Sequence, residues 1–248
     1  ADIVFLDISH SKGWGEALSG AGGVAETLLP GKVVVLLSED TPEDVVAASK
    51  VLAGGGAIVL DAAHAGDPAA WGTDASPVLL SGPKIGCDIV SALLSAAGVS
   101  VDVCGDKVGA ARMLNILDAT LFAGCMVATF EGIALGQKMN LSLATMTEAI
   151  NAGSGRNFAS SVILPSMIAG DACEPVSVSG LSKCLAAFTG VGAVADAPTI
   201  FASVTSSIVT DVVHRYGDDA TIPHILRLIE SMGASGNDRT VSATTGDR

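Results

Sequence analysis

The residues whose types and spacing could do chemistry lie in one stretch, Val108–Lys138 (VGAARMLNILDATLFAGCMVATFEGIALGQK). Its polar members are few: Arg112, Asn115, Asp118, Glu131 and the closing Gln137 and Lys138. A polar group in apolar surroundings needs a partner or a purpose. Asn115 and Asp118 stand one helical turn apart, close enough to face the same small molecule. The amide of Asn115 can donate and accept hydrogen bonds but cannot titrate. Asp118 can accept a proton or an amine. Arg112 stays charged and is a poor proton donor. The competing role for Asn115 and Asp118 is that of a satisfied polar pair at a seam between domains.

Other chemistries find little support. The five cysteines (Cys87, Cys104, Cys125, Cys173 and Cys184) are odd in number, far apart and free of any CxxC spacing. They read as reduced, buried thiols in a cytoplasmic setting. The four histidines have no metal-ligand spacing, so no metal is expected. SGAGGVAE (Ser19–Glu26) holds glycines, but they follow a helix pattern rather than a strand. They therefore read as a turn and not as a dinucleotide loop. A net charge of −13 argues against nucleic acid. The apolar run Ala119–Phe130 is short for a bilayer and flanked by Asp118 and Glu131, so no membrane partner is expected.

The elements that must position these residues fall into two halves. Residues 1–107 alternate strand and helix: strands at Asp2–Ile8, Lys32–Leu37, Ala57–Ala62, Pro77–Ser81 and Val99–Cys104. Between them lie helices at Ser11–Gly20, from Thr41 to about Leu52, and at Lys84–Ala97. Thr41-Pro42-Glu43 is a helix start, with an acceptor, a proline and then acids. That alternation predicts an α/β unit with a mostly parallel sheet. Residues 108–138 contain no proline and are apolar nearly all round, which predicts a long buried helix of roughly 43 Å from Ala110. Residues 139–233 are all helical by pattern. The helices fall at Ser142–Ala152 (with Asn140 or Leu141 near its start), Phe158–Ile168, Val178–Ala195, Pro198–His214 and Thr221–Met232. Residues 234–248 read as a flexible tail. The chain has no initiating Met and opens on an apolar strand, from which a fragment, a processed product or one domain of a larger fusion protein is expected.

The order ADIVFLDISH, LLPGKVVVLLSEDTPE, VLDAAHAGD, GTDASPVLLSGP and GDKVGAA…N…E…G resembles the β-hydroxyacid dehydrogenase superfamily. That group includes 3-hydroxyisobutyrate, tartronate-semialdehyde and threonate dehydrogenases and the imine reductases. The resemblance runs to the Thr221–Met232 helix. It implies a partial Rossmann-type parallel sheet, a long interdomain helix and a helical C-terminal domain used for dimerisation and substrate. It also implies NAD or NADP, a hydroxy acid or imine substrate, and a homodimer. The family's opening βαβ unit with GxGxxG has no counterpart here.

Carried over residue by residue, the resemblance is uneven. Counting forward from Gly109 and back from Glu131 both place Asn115 where the dehydrogenases carry a catalytic lysine. Imine reductases carry aspartate or tyrosine there. The companion asparagine becomes Ala119. Arg112 could mimic the lysine only with a gap of nearly one turn. Cofactor contacts are implied for Ser9, His10, Ser38 and Lys183; a turn or cap competes at Ser38 and a solvated surface at Lys183. The substrate loop becomes Asp61–Asp67, which implies substrate contacts from His64, Gly66 and Asp67, although its serine is now Ala65. GSGRN (Gly153–Asn157) offers Arg156 to an anion, with loop ordering as the other role. The expected function is an NAD(P)-dependent oxidoreductase-like protein, truncated and catalytically altered. The alternatives are a non-catalytic scaffolding or dimerisation module, or one domain of a larger fusion protein.

Overall fold

The computed structural model describes residues 1–7, 15, 18–20, 22–37, 40–64, 70, 72–74, 76–171 and 177–234. The chain folds as two compact units, Ala1–Asp118 and Ala119–Arg248.

Unit 1 is built on a five-stranded sheet in the order β1-β2-β3-β4-β5. The run Val33–Leu37 (β2) lies between β1 (Ile3–Asp7) and β3 (Ile58–His64) and is parallel to both. β4 (Val78–Ser81) pairs antiparallel with β3, and β5 (Val101–Gly105) runs parallel to β4. A continuous VVVLL run suits a strand covered on both faces. Alternate side chains then serve opposite sides. Val34 and Leu36 meet Val45, Ala48 and Leu52 of α2 (Pro42–Gly54). Val33 and Val35 share a cluster with Leu60, Leu80, Cys87 and Val90, the last two from α3 (Lys84–Ala96). α2 starts as its sequence predicts, with Thr41 Oγ1 accepting from Asp44 N at 3.2 Å and Pro42 in the first turn. A four-residue helix, α1 (Val24–Thr27), adds an element that the glycine-rich turn reading did not foresee.

α4 (Ala110–Lys138) begins in unit 1 and continues into unit 2. By length and composition it could cross a membrane. Its inner side instead fills the core of unit 2, where Met126, Phe130 and Ile133 are fully buried. They share that core with Leu164, Leu185, Val209 and Ile225 from α6 (Leu164–Ala169), α7 (Val178–Val194), α8 (Ile200–Tyr216) and α9 (Ile222–Ala234).

α5 (Leu143–Ala152) is capped by Ser142, as the sequence predicts, and Asn140 sits at φ 61° in the left-handed turn after α4. Two boundaries differ from the sequence expectation. The expected helix over Phe158–Ile168 opens into a π-helix at Ala159–Ile163 before becoming α6. Pro165 explains the wide turn, since its ring cannot be seated against the carbonyl four residues earlier in a regular α-helix. α8 starts at Ile200, two residues after Pro198, with Thr199 at its cap.

Gly86 on α3 lies so near the sheet that a Cβ there would meet Ile58 Cγ2 at 2.7 Å and Leu60 Cδ2 at 3.0 Å. Gly86→Ala is expected to lower unfolding stability by about 1–3 kcal/mol through overpacking. Denaturant titration measures this; an unchanged midpoint would remove the close approach from the account.

Candidate functional site

The start of α4 is held by two buried side chains from neighbouring strands. Asp61 of β3 and Ser81 of β4 are register partners across the antiparallel ladder. Both are almost fully removed from solvent. Asp61 Oδ2 accepts from Gly109 N at 3.1 Å, Arg112 N at 2.9 Å and Ser81 Oγ at 3.4 Å. Ser81 Oγ accepts from Ala111 N at 3.0 Å, and Ala110 N donates to the Lys107 carbonyl at 3.3 Å. Every amide from Gly109 to Arg112 therefore has an acceptor, at the helix end that favours negative charge. Gly109 makes the entry turn at φ 98°, with the Val46 side chain 3.1 Å from where a Cβ would stand.

Burial pushes the Asp61 carboxyl above its ordinary value. The amides of Arg112 and Gly109, the Ser81 hydroxyl and the Arg112 charge pull the other way and offset it only in part. Burial likewise raises the thiols of Cys87 and Cys104, with Asp88 and Asp61 respectively adding to it. They donate to the carbonyls of Gly82 and Leu80, which suits inert thiols rather than nucleophiles.

The same turn carries Arg112, whose side chain is buried. Its Nε donates to the Asp40 carbonyl at 2.7 Å, and one terminal nitrogen donates to Asn115 Oδ1. Asn115 Nδ2 donates to the His64 carbonyl. Asn115 thus ties a buried cation to the last residue of β3, using both ends of its amide. Asp118 is exposed one turn further on, at the boundary of the units. His64 is exposed and contributes its backbone oxygen here.

A second polar cluster lies in unit 2. Ser160 Oγ donates to Asn151 Oδ1 at 2.7 Å, and Asn151 Nδ2 returns a bond to the Ser160 carbonyl at 2.8 Å. Asn157 Nδ2 reaches Thr129 Oγ1 on α4 at 3.0 Å, and its backbone N donates to Ser160 Oγ at 2.9 Å. These bonds order the Gly153–Asn157 loop from below and leave Arg156 exposed at its tip. Lys183 stands exposed on α7. Ser9, His10, Ser38, Gly66 and Asp67 lie outside the described residues. Sequence reasoning passed over Ser81, Asn151, Ser160 and Thr129 altogether, and treated Asp61 only as the start of a loop. An aspartate inside the apolar run Ile58–Ala63 was the available signal, since a charge there must be bonded.

A dinucleotide needs free backbone amides or cations for its phosphates. Among the described residues, the amides at the start of α4 are already taken and Thr41 caps α2. A groove of about 500 Å³ between α2 and Val108–Gly109 offers Lys50 beside Glu43. Among the described residues, the start of α4 therefore makes no pyrophosphate cradle. No group of three His, Cys, Asp or Glu side chains comes together among them either.

Residues 109–229 match the family described as NAD-binding of NADP-dependent 3-hydroxyisobutyrate dehydrogenase. The match takes in 121 of the 248 residues, just under half of the chain. An L-threonate dehydrogenase of Cupriavidus necator is 25% identical over 170 residues, covering 68% of this chain and 57% of that protein. The cytokine-like nuclear factor N-PAC of Xenopus tropicalis is 28% identical over 153 residues, covering 61% of this chain and 28% of that protein. The chain thus spans little more than half the length of the first relative and far less of the second. Mycobacterium tuberculosis 3-hydroxyisobutyrate dehydrogenase shares the fold with a TM-score of 0.79 at 16% identity, over 94% of this chain and 79% of that one. A Myxococcus stipitatus imine reductase in complex with NADP+ gives a TM-score of 0.56 at 18% identity, over 92% and 79%. The chain resembles the hydroxyacid dehydrogenases in sequence and shares with them and the imine reductases a fold of a parallel-rich sheet followed by a helical C-terminal region.

Asp61→Ala leaves two buried amides and a hydroxyl without their acceptor, and is expected to cost about 3 kcal/mol. The pH dependence has a definite sign. Folded Asp61 holds its proton more tightly than the unfolded chain, whose value is near ~3.9. Its contribution to stability is therefore greatest in acid and declines as pH rises through the raised folded value. Urea unfolding from acid to neutral pH should show wild type losing ground to Asp61→Asn with rising pH; a gap moving the other way would contradict the assignment.

Proposed function

We propose that the chain is an NAD(P)-dependent oxidoreductase-like protein for hydroxy acids or imines with altered proton transfer. In it, position 115 holds the start of α4 together instead of moving a proton. The observation that carries this reading is the engagement of both ends of the Asn115 amide, by Arg112 and by the His64 carbonyl. An amide so engaged is fixed in place with one N–H and one lone pair to spare, and it cannot titrate in any case. Asp118, exposed on the next turn, is the group assigned to exchange a proton with a substrate hydroxyl or imine nitrogen. Arg156 and the segment from His64 to Asp67 are assigned to the substrate, and Ser9, His10, Ser38 and Lys183 to the cofactor. The working unit is a homodimer, in a reducing, cytoplasmic setting that keeps Cys87, Cys104, Cys125 and Cys184 as free thiols.

A second reading is a non-catalytic scaffolding or dimerisation module. The likeness to N-PAC, a protein named as a nuclear factor, favours it. So does the position of Asn115.

NADPH fluorescence titration and turnover assays with hydroxy acids and cyclic imines separate the two. Saturable binding with turnover that Asp118→Ala reduces at least 100-fold supports the first reading. Absence of binding up to millimolar cofactor would sink it and leave the module. Asn115→Ala strands a buried Arg112 donor and is expected to cost about 1–3 kcal/mol in stability. Thermal melting reads that cost, and an unchanged melting temperature would contradict the structural role.

A further inference from the structure

Every polar group of Asn157 is engaged by the protein. Its Oδ1 accepts from Ser160 N at 3.2 Å and its backbone N donates to Ser160 Oγ at 2.9 Å, a reciprocal cap on the helical segment that follows. Both N–H bonds of Nδ2 are committed, one to Thr129 Oγ1 at 3.0 Å and one to the Gly155 carbonyl at 2.9 Å. The Asn157 carbonyl accepts from Ser161 N at 3.0 Å and Ser161 Oγ at 2.8 Å. Thr129 Oγ1 is fixed in turn by donating to the Cys125 carbonyl at 2.7 Å. A residue bonded in this way sets the course of the chain on either side of it.

On one side stands Arg156. It is exposed, and its guanidinium makes no hydrogen bond or ion pair with another described residue. It is the only charged residue between Glu148 and Asp171, so no acid in that stretch neutralises it. A guanidinium is a planar fork of donors that matches a carboxylate in two parallel bonds. On the other side stands Phe158. It meets Phe122 of α4 edge to face, with ring centroids 5.4 Å apart and planes at 87°. Both rings pack against the core of unit 2 and both are half-buried, so part of the pair stays open to a ligand.

Charge and shape select the ligand. One guanidinium with no second cation in the stretch suits a single carboxylate better than a phosphate, whose greater charge calls for more donors. The ring pair beside it in the chain suits an apolar body on that carboxylate. The anchoring of Asn157 matters because a cation already held near its bound position loses less freedom on binding.

We propose that Asn157 is a positioning residue that holds Arg156 and Phe158 as one recognition edge, and that this edge takes an organic acid with one carboxylate and an aryl or branched alkyl body. The proposal rests on the assignment of Arg156 to the substrate made above and narrows it. Of the two substrate classes named there it selects hydroxy acids, because a simple imine brings no anion to Arg156. Thr129 acts through Asn157, as the hydroxyl that ties the edge to α4.

The test uses the full chain and three probes. These are 3-phenyllactate, lactate (which lacks the ring) and 3-phenylpropane-1,2-diol (which lacks the charge). Isothermal titration with and without NADPH gives their dissociation constants, and circular dichroism reports the folding of each variant. Wild type is expected to bind 3-phenyllactate about tenfold or more tighter than either other probe. Arg156→Ala should weaken 3-phenyllactate by about tenfold or more and leave the diol unchanged, a selectivity that general loss of structure would not give. Thr129→Val should weaken 3-phenyllactate by roughly threefold or more, and Thr129→Ser, which keeps the hydroxyl, should retain the wild-type value. Binding of 3-phenyllactate that ignores Arg156→Ala, equal binding of lactate, or no binding in either condition would overturn the recognition edge. Equal losses in Thr129→Val and Thr129→Ser would overturn the positioning role. Arg156-dependent binding of 3-phenyllactate in a protein that takes up no NADPH would support the edge and overturn only the oxidoreductase reading.

Discussion

A carboxylate with almost no access to water is the constraint from which unit 1 is best understood. Asp61 must find hydrogen-bond donors inside the protein, because an unpaired buried charge is strongly destabilising. The donors it finds are the Gly109 and Arg112 amides and the Ser81 hydroxyl. Reversal of β4 against β3 is what sets Ser81 opposite Asp61. Ser81 then passes the effect on by accepting from Ala111. Strand pairing, a positive-φ glycine at residue 109 and the start of the long helix are thus one arrangement, not three separate features. The partner charge on Arg112 comes with the same turn and offsets part of the cost of burying Asp61.

That arrangement determines what the turn can do chemically. With the Arg112 amide bonded to Asp61 and its guanidinium bonded to the Asp40 carbonyl, the next inward-facing position has to accept from a cation. A neutral amide does so and can also donate onward to the β3 carbonyl; a lysine there would set two cations together. Asn115 therefore fits its neighbours, bridging the Arg112 guanidinium and the His64 carbonyl.

Further along α4 the same economy recurs in unit 2. Thr129 bonds the Cys125 carbonyl and receives Asn157, so a loop that follows α5 is tied to the helix through one hydroxyl. Ser160 and Asn151 complete the tie. The π-helix at Ala159–Ile163 occurs in this segment, where Pro165 and the Asn157 cluster both need backbone that a regular helix would not supply. Inward residues of α4 form the core of unit 2.

The amino-acid sequence by itself determined the order and type of nearly every element. Continuous Val and Leu runs, the Thr41-Pro42 start and the proline-free stretch after Gly109 are local signals, and local backbone preference decides them. It also determined that Asn115 could not serve as an acid or base, since that is a property of the side chain. Only the tertiary structure decided what Asn115 bonds, that Asp61 and Ser81 cap a helix roughly thirty to fifty residues away in sequence, and that β4 runs against its neighbour. It also decided which side of an apolar helix stays in solvent. Those are pairings between distant segments, and a composition that is apolar nearly all round carries no mark of which face another element will cover.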